Sequence, residues 1–158
     1  MDIMDSQIIK PGIGLGFIRL GSTEQVVRSL LGQPTSVQNS SYPDGDSSLD
    51  LEYDDLMLSL VFYESDSFRL STITTSDEKS VFNGINIVGM SESQLVQCDF
   101  NGIGPPQFDD DFEELGKDYC WDSLNMSCWL TNSIVTSVTI MPNFDETGDI
   151  PLWPNDQL

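Results

Sequence analysis

The chain repeats itself. Displaced by 68 positions, Gly16-Phe17-Ile18-Arg19-Leu20-Gly21 falls on Gly84-Ile85-Asn86-Ile87-Val88-Gly89, and Thr23-Glu24 on Ser91-Glu92. The same displacement carries Tyr53-Asp54-Asp55-Leu56-Met57-Leu58-Ser59 onto Trp121-Asp122-Ser123-Leu124-Asn125-Met126-Ser127. Two separated blocks at one displacement constrain the fold strongly, because the same local architecture must suit both halves. Further on the displacement falls to 65, with Leu70-Ser71-Thr72-Ile73-Thr74 over Val135-Thr136-Ser137-Val138-Thr139. That places a three-residue difference in a connecting loop, where length changes are tolerated.

Each copy reads as short strand, helix, long loop, hairpin and last strand. Ser22 or Thr23 can cap the first helix; Ser91 caps the second, and Gln94 completes a capping-box pattern. Val26, Val27, Leu30 and Leu31 form one apolar stripe, ended by Gly32 and Pro34. Leu95, Val96 and Cys98 carry the second stripe. The expected fold is therefore α+β: two tandem copies of a helix packed on an antiparallel sheet, residues 1–78 and 79–146, with a C-terminal tail over 147–158. The copies can join into one continuous sheet with an open concave face.

If Asp54-Asp55 is a two-residue turn, Tyr53 faces Leu56, Leu51 faces Leu58 and Leu49 faces Leu60, giving a uniformly apolar side. In the second copy the same rule pairs Trp121 with Leu124 and Tyr119 with Met126, and sets Cys120 opposite Asn125 on the other side. With the helices on the apolar side, the other face stays open. It carries Asp50, Glu52, Met57, Ser59 and Val61 from the first copy and Asp118, Asn125, Ser127 and Trp129 from the second.

Charge narrows the partners. There are 26 Asp and Glu against 6 Lys and Arg, with no histidine, for a net charge of −20. Nucleic acid as a direct ligand and anionic membranes are both disfavoured, since each is bound through cations. The excess serves solubility, or it steers a basic partner within a screening length of roughly 8 Å. Its densest run, Asp109-Asp110-Asp111-Phe112-Glu113-Glu114, is expected in the long loop of the second copy. Phe108 and Phe112 beside those carboxylates supply the apolar anchors that an interface uses and a merely solvated loop does not need. Trp129 is either such an anchor or a surface for the apolar tail Pro151-Leu152-Trp153-Pro154.

Catalytic chemistry finds little support. Without histidine the usual triads and Cys/His dyads cannot form. Cys98, Cys120 and Cys128 show no CxxC spacing and make an odd number, so reduced thiols in a reducing compartment are expected. Asp44-Gly45-Asp46-Ser47-Ser48-Leu49-Asp50 alternates carboxylates like a calcium loop, but Leu49 stands where the loop glycine belongs and Asp55 where the closing glutamate belongs. Gly12-Ile13-Gly14-Leu15-Gly16 lacks the spacing and lysine of a phosphate loop and suits turns or strand edges. No cofactor, metal or catalytic residue is assigned. Met1-Asp2-Ile3-Met4-Asp5 has no basic or apolar leader character, and no run approaches the ~18 apolar residues of a membrane span, so the chain reads as cytoplasmic.

The pattern Leu20-Gly21-Ser22-Thr23 through Val27, closed by Leu31-Gly32-Gln33-Pro34, resembles the small outer-membrane lipoprotein family SmpA/OmlA, in which such a helix precedes an antiparallel sheet. Two such units in tandem are similar to the beta-lactamase inhibitory protein family, whose paired repeats grip an enzyme. In its acidity the chain resembles bacterial immunity proteins, which cover the active site of a basic toxin, often a nuclease. The resemblances imply a non-enzymatic, protein-binding inhibitor that takes a basic toxin or enzyme. The partner-binding residues expected are Asp50, Glu52, Met57, Asp109, Asp110, Asp111, Phe112, Glu113, Glu114, Asp118 and Trp129. A non-inhibitory assembly module is the alternative, and a carboxylate-dependent metal or sugar-binding protein a weaker one.

Overall fold

The computed structural model describes residues 7–154. The reading of Met1–Asp5 and the last four residues of the tail lie outside them. Three two-residue strands, β1 (Ile9–Lys10), β2 (Gly14–Leu15) and β3 (Ile18–Arg19), form a small antiparallel sheet. The glycines of 12–16 supply its turns and β2. Helix α1 (Glu24–Leu31) follows, then β4 (Ser36–Ser41), β5 (Ser47–Tyr53), β6 (Leu58–Tyr63) and β7 (Arg69–Thr75). Helix α2 (Glu92–Gln97) precedes β8 (Gln107–Asp111), β9 (Lys117–Trp121), β10 (Met126–Thr131) and β11 (Ile134–Ile140). A hairpin of β12 (Asn143–Phe144) and β13 (Pro151–Leu152) closes the chain.

The architecture is α+β with the sheet dominant. Strands β4 to β11 make one antiparallel eight-stranded sheet in the order β4-β5-β6-β7-β11-β10-β9-β8. Its middle seam pairs Ile73 with Ile140 and Thr74 with Thr139, whose hydroxyls lie 3.0 Å apart. The outer starts of β7 and β11 pair with the segments that lead into the helices. Gly21 N–H donates to the Leu70 carbonyl and Gly89 N–H to the Val135 carbonyl, both at 2.8 Å. The loop between β6 and β7 holds five residues, 64–68, and that between β10 and β11 holds two, 132–133.

The helix caps follow from local chemistry. Thr23, not Ser22, caps α1, its hydroxyl accepting from Val26 N–H at 3.3 Å. Ser91 caps α2 with both arms of the capping box closed through Gln94. The α1 stripe is narrower than its four apolar residues suggest: Val27 is fully buried and Leu31 packs on the core, while Val26 and Leu30 are exposed. Eight residues make little more than two turns, so each turn seats one side chain. In α2 Leu95 is buried, Cys98 packs against the core and Val96 faces out.

Both hairpin turns are longer than two residues. Asp54–Leu56 and Asp122–Leu124 each form a short 3-10 turn closed by a left-handed residue, Met57 (φ 54°) and Asn125 (φ 49°). The register moves by two positions: Tyr53 pairs with Leu58, Leu51 with Leu60, Leu49 with Phe62, Trp121 with Met126, Tyr119 with Cys128 and Cys120 with Ser127. Since side chains alternate with period two, a shift of two preserves which residues face the core. Leu51, Leu60 and Phe62 are fully buried with Met126, Leu130, Val138 and Ile140 against Val27 and Leu95. Each such side chain contributes roughly 1.5–3 kcal/mol by leaving water.

The tail docks away from Trp129. Trp153 is buried, lies against Gly21 and receives the Arg69 guanidinium 5.0 Å from its ring. Arg69 Nε donates to the Gly21 carbonyl at 2.8 Å, so the tail, the helix entry and β7 are tied together.

Candidate functional site

The open face is built from alternate residues of the eight strands. One row crosses it without a break: Ser36, Glu52, Ser59, Thr74, Thr139, Ser127, Cys120 and Gln107. It is a surface of hydroxyls and carboxylates. Ser59 Oγ donates to Glu52 at 2.8 Å and Ser48 Oγ to Asp50 at 2.9 Å. Met57 and Asn125 leave this face, because the left-handed positions that close the turns take them off the strands; Met57 instead lies with Leu30 and Leu56 beside the end of α1.

The acidic run is an edge strand. Asp109, Asp110 and Asp111 belong to β8, paired to β9 through Asp110–Asp118 and Asp111–Lys117 with a bulge between Phe108 and Asp110. Aspartate is a poor strand former, so the pairing needs help from its neighbours. Aromatic contacts at both ends of the run supply it. Phe108 meets core-facing Tyr119 edge-on, centroids 5.6 Å apart, and Phe112 meets open-face Trp129 at 5.4 Å. Glu113 and Glu114 form the turn with Leu115, and Phe112 N–H closes it on the Gly116 carbonyl at 2.8 Å. Gly116 fits because a Cβ there would stand 2.4 Å from the Leu130 carbonyl and 2.7 Å from the Trp129 ring.

Helix α2 holds this corner from below. Lys117 Nζ and the Tyr119 hydroxyl both donate to the Glu92 carboxylate, at 3.1 and 2.5 Å. The Tyr119 hydroxyl and the Lys117 cation keep Glu92 below the usual carboxylate range, while burial and then Glu92 push Tyr119 up to about 12.

On the open side Asp109, Asp118 and Cys120 bring two carboxylates and a thiol within 4.8 Å of one another. Burial, then the Asp109 carboxylate beside it and the Asp110 charge, push Asp118 up to about 6. The Cys120 thiol donates to Asp118 at 3.7 Å. Burial and surrounding aspartates push Cys120 up to about 12, and burial does the same for Cys128 on the opposite face. Both sulfurs stay protonated near neutrality, which makes them weak nucleophiles. The carboxylates of the calcium-like segment are spent on separate partners: Asp44 accepts from Asp46 N–H, Asp46 from Ser65 and Ser47, and Asp50 from Ser48.

The residues expected to bind a partner thus divide. Asp109, Asp110, Asp111, Phe112, Glu113, Glu114, Asp118 and Trp129 gather at one end of the sheet, around β8 to β10. Asp50 and Glu52 lie on β5, five strand spacings from β9, or roughly 24 Å away. Leu115 belongs to the first group and escapes a reading of charge and aromatics, yet it is the most exposed large apolar residue described, at 74%, against 56% for Phe108 and 46% for Phe112. Its position inside Glu-Glu-Leu-Gly, a turn ended by glycine, is the signal that marks it.

No helix among the described residues is long and apolar enough to cross a membrane. The chain matches no family model, no curated protein and no solved structure.

Proposed function

We propose that this chain is a protein-binding inhibitor of the immunity type, which covers a basic toxin or nuclease with the β8–β10 end of its sheet. The observation that carries the reading is the acidic edge strand with Phe108, Phe112 and Leu115 exposed among its carboxylates. Solubility alone accounts for the aspartates; it does not account for large apolar side chains exposed at both ends of the run, Phe108 against Tyr119 at one and Phe112 with Leu115 in the tight turn at the other. Carboxylates spaced along an extended strand take the place of phosphates before a basic active site, and a field of net charge −20 speeds encounter. Apolar anchors then slow release.

The scaffold is, on the same proposal, two tandem copies, residues 1–78 and 79–146. The left-handed turn residues Met57 and Asn125 stand 68 apart, as do the bridging residues Thr23 and Ser91, whereas their partners Arg69 and Ile134 stand 65 apart. The step falls where one loop has five residues and the other two. This is the pattern that a duplicated helix-plus-sheet unit leaves.

The test is capture from the native cell with the whole chain, followed by assay of the retained protein. A basic enzyme that loses activity at equimolar addition is expected. Retention of partners with undiminished activity would overturn inhibition, and equal retention by a variant carrying Asp109→Asn, Asp110→Asn, Asp111→Asn and Phe112→Ala would remove the β8 end from the interface.

A further inference from the structure

The two edges of the sheet are unlike. A sheet edge presents unpaired N–H and C=O groups, and proteins guard it with charge, proline or a bulge. Strand β8 has three aspartates and a bulge. Strand β4, Ser36-Val37-Gln38-Asn39-Ser40-Ser41, has no charge and no proline, and pairs with β5 in unbroken register at all six positions. Five of its six residues are exposed, and its outer side has no strand partner among the described residues. At about 3.3 Å per residue it offers roughly 20 Å of straight, regular edge.

The surroundings choose the occupant. From Pro34 to Leu60 the chain carries Asp44, Asp46, Asp50, Glu52, Asp54 and Asp55 and neither lysine nor arginine. On the open face, Asp50 and Glu52 of β5 stand directly behind Gln38 and Ser36. Ser36 is short, so a long basic side chain from a strand added outside β4 can reach over it to Glu52, and Asp50 lies one paired position further along, behind Gln38. On the opposite face Val37 is 46% exposed although its partner Leu51 is fully buried, so an apolar side chain on the added strand would complete that row.

We propose that β4 is a strand-addition site for an extended basic segment of a partner protein, alternating lysine or arginine on the open face with small apolar residues on the other. A second copy of this chain fits less well, since it brings the same acidic stretch to the same edge. The site is independent of the β8 end and stands or falls separately from it.

The probe is a peptide alternating lysine and valine, offered to the whole chain, with a control of the same sequence N-methylated at every second backbone amide. Strand addition predicts that amide hydrogen exchange across Ser36–Ser41 slows by about tenfold or more and that the N-methylated control binds at least about tenfold more weakly. Ser36→Lys with Ser40→Lys, which places guarding cations on the edge, is expected to abolish binding without moving the melting temperature. Equal binding of the control would show charge attraction alone and overturn the proposal. So would protection appearing at β8 in place of β4, or a concentration-dependent dimer in sedimentation that the double lysine variant dissolves.

Discussion

Phe112 rests on Trp129 with ring centroids 5.4 Å apart, joining the residue that follows the edge strand to the open face two strands further in. The contact places an exposed aromatic among five carboxylates. Removing it with Phe112→Ala should cost only about 0.5–1.5 kcal/mol of stability, the range of an aromatic pair beyond its burial. Urea unfolding measures that loss. Affinity for the partner should fall much further, by about 2 kcal/mol or more if Phe112 is an anchor.

Gly116 supports the same contact from beneath. Its φ of 139° and the 2.4 Å approach a Cβ would make to the Leu130 carbonyl leave no room for a side chain. Gly116→Ala should destabilise the chain by about 1–3 kcal/mol and alter the near-ultraviolet circular dichroism of Trp129. An unchanged urea midpoint would show that the turn adapts.

Asp118 gives the corner a pH signature. Its carboxyl is pushed up to about 6 from an ordinary 3.8, so the folded chain binds the extra proton between those values and the contribution of Asp118 to stability falls as pH rises from about 4 to 6. Asp118→Asn, which removes this charge, should be more stable than the parent at pH 7, and the difference should vanish by pH 4. Thermal melts at pH 4, 5, 6 and 7 follow it. A difference that grows on acidification has the wrong sign.

The tail is structural at Trp153. Burial against Gly21 and the Arg69 guanidinium predicts that Trp153→Ala costs about 3 kcal/mol, at the low end for a large aromatic because the site lies near the surface. Denaturant unfolding reads this directly.

How much of this could be read in the chain depended on which interactions were local. Caps and alternation are short-range, so Ser91 with Gln94 and the buried set of Leu51, Leu60 and Met126 were legible. The hairpin register was not, because Asp54-Asp55 is a weak turn signal and Met57 and Asn125 accept a left-handed backbone that nothing adjacent announces. The aspartate run reads as loop by propensity and becomes a strand through Phe108–Tyr119 and Phe112–Trp129, pairs 11 and 17 residues apart in sequence. Sequence placed Asp50 and Asp118 on one face correctly, but not the roughly 24 Å between their strands, which follows from β7 meeting β11.

On the proposed function, the β8 end is an electrostatic lure with apolar anchors. The most direct measurement is the association rate of the captured basic protein with the parent chain and with an Asp109→Lys, Asp110→Lys, Asp111→Lys variant, by stopped flow across a range of ionic strength. The parent rate should fall steeply with salt, and the variant should associate about tenfold or more slowly at low salt with a flatter dependence. Equal rates and equal salt slopes in the two proteins would contradict it.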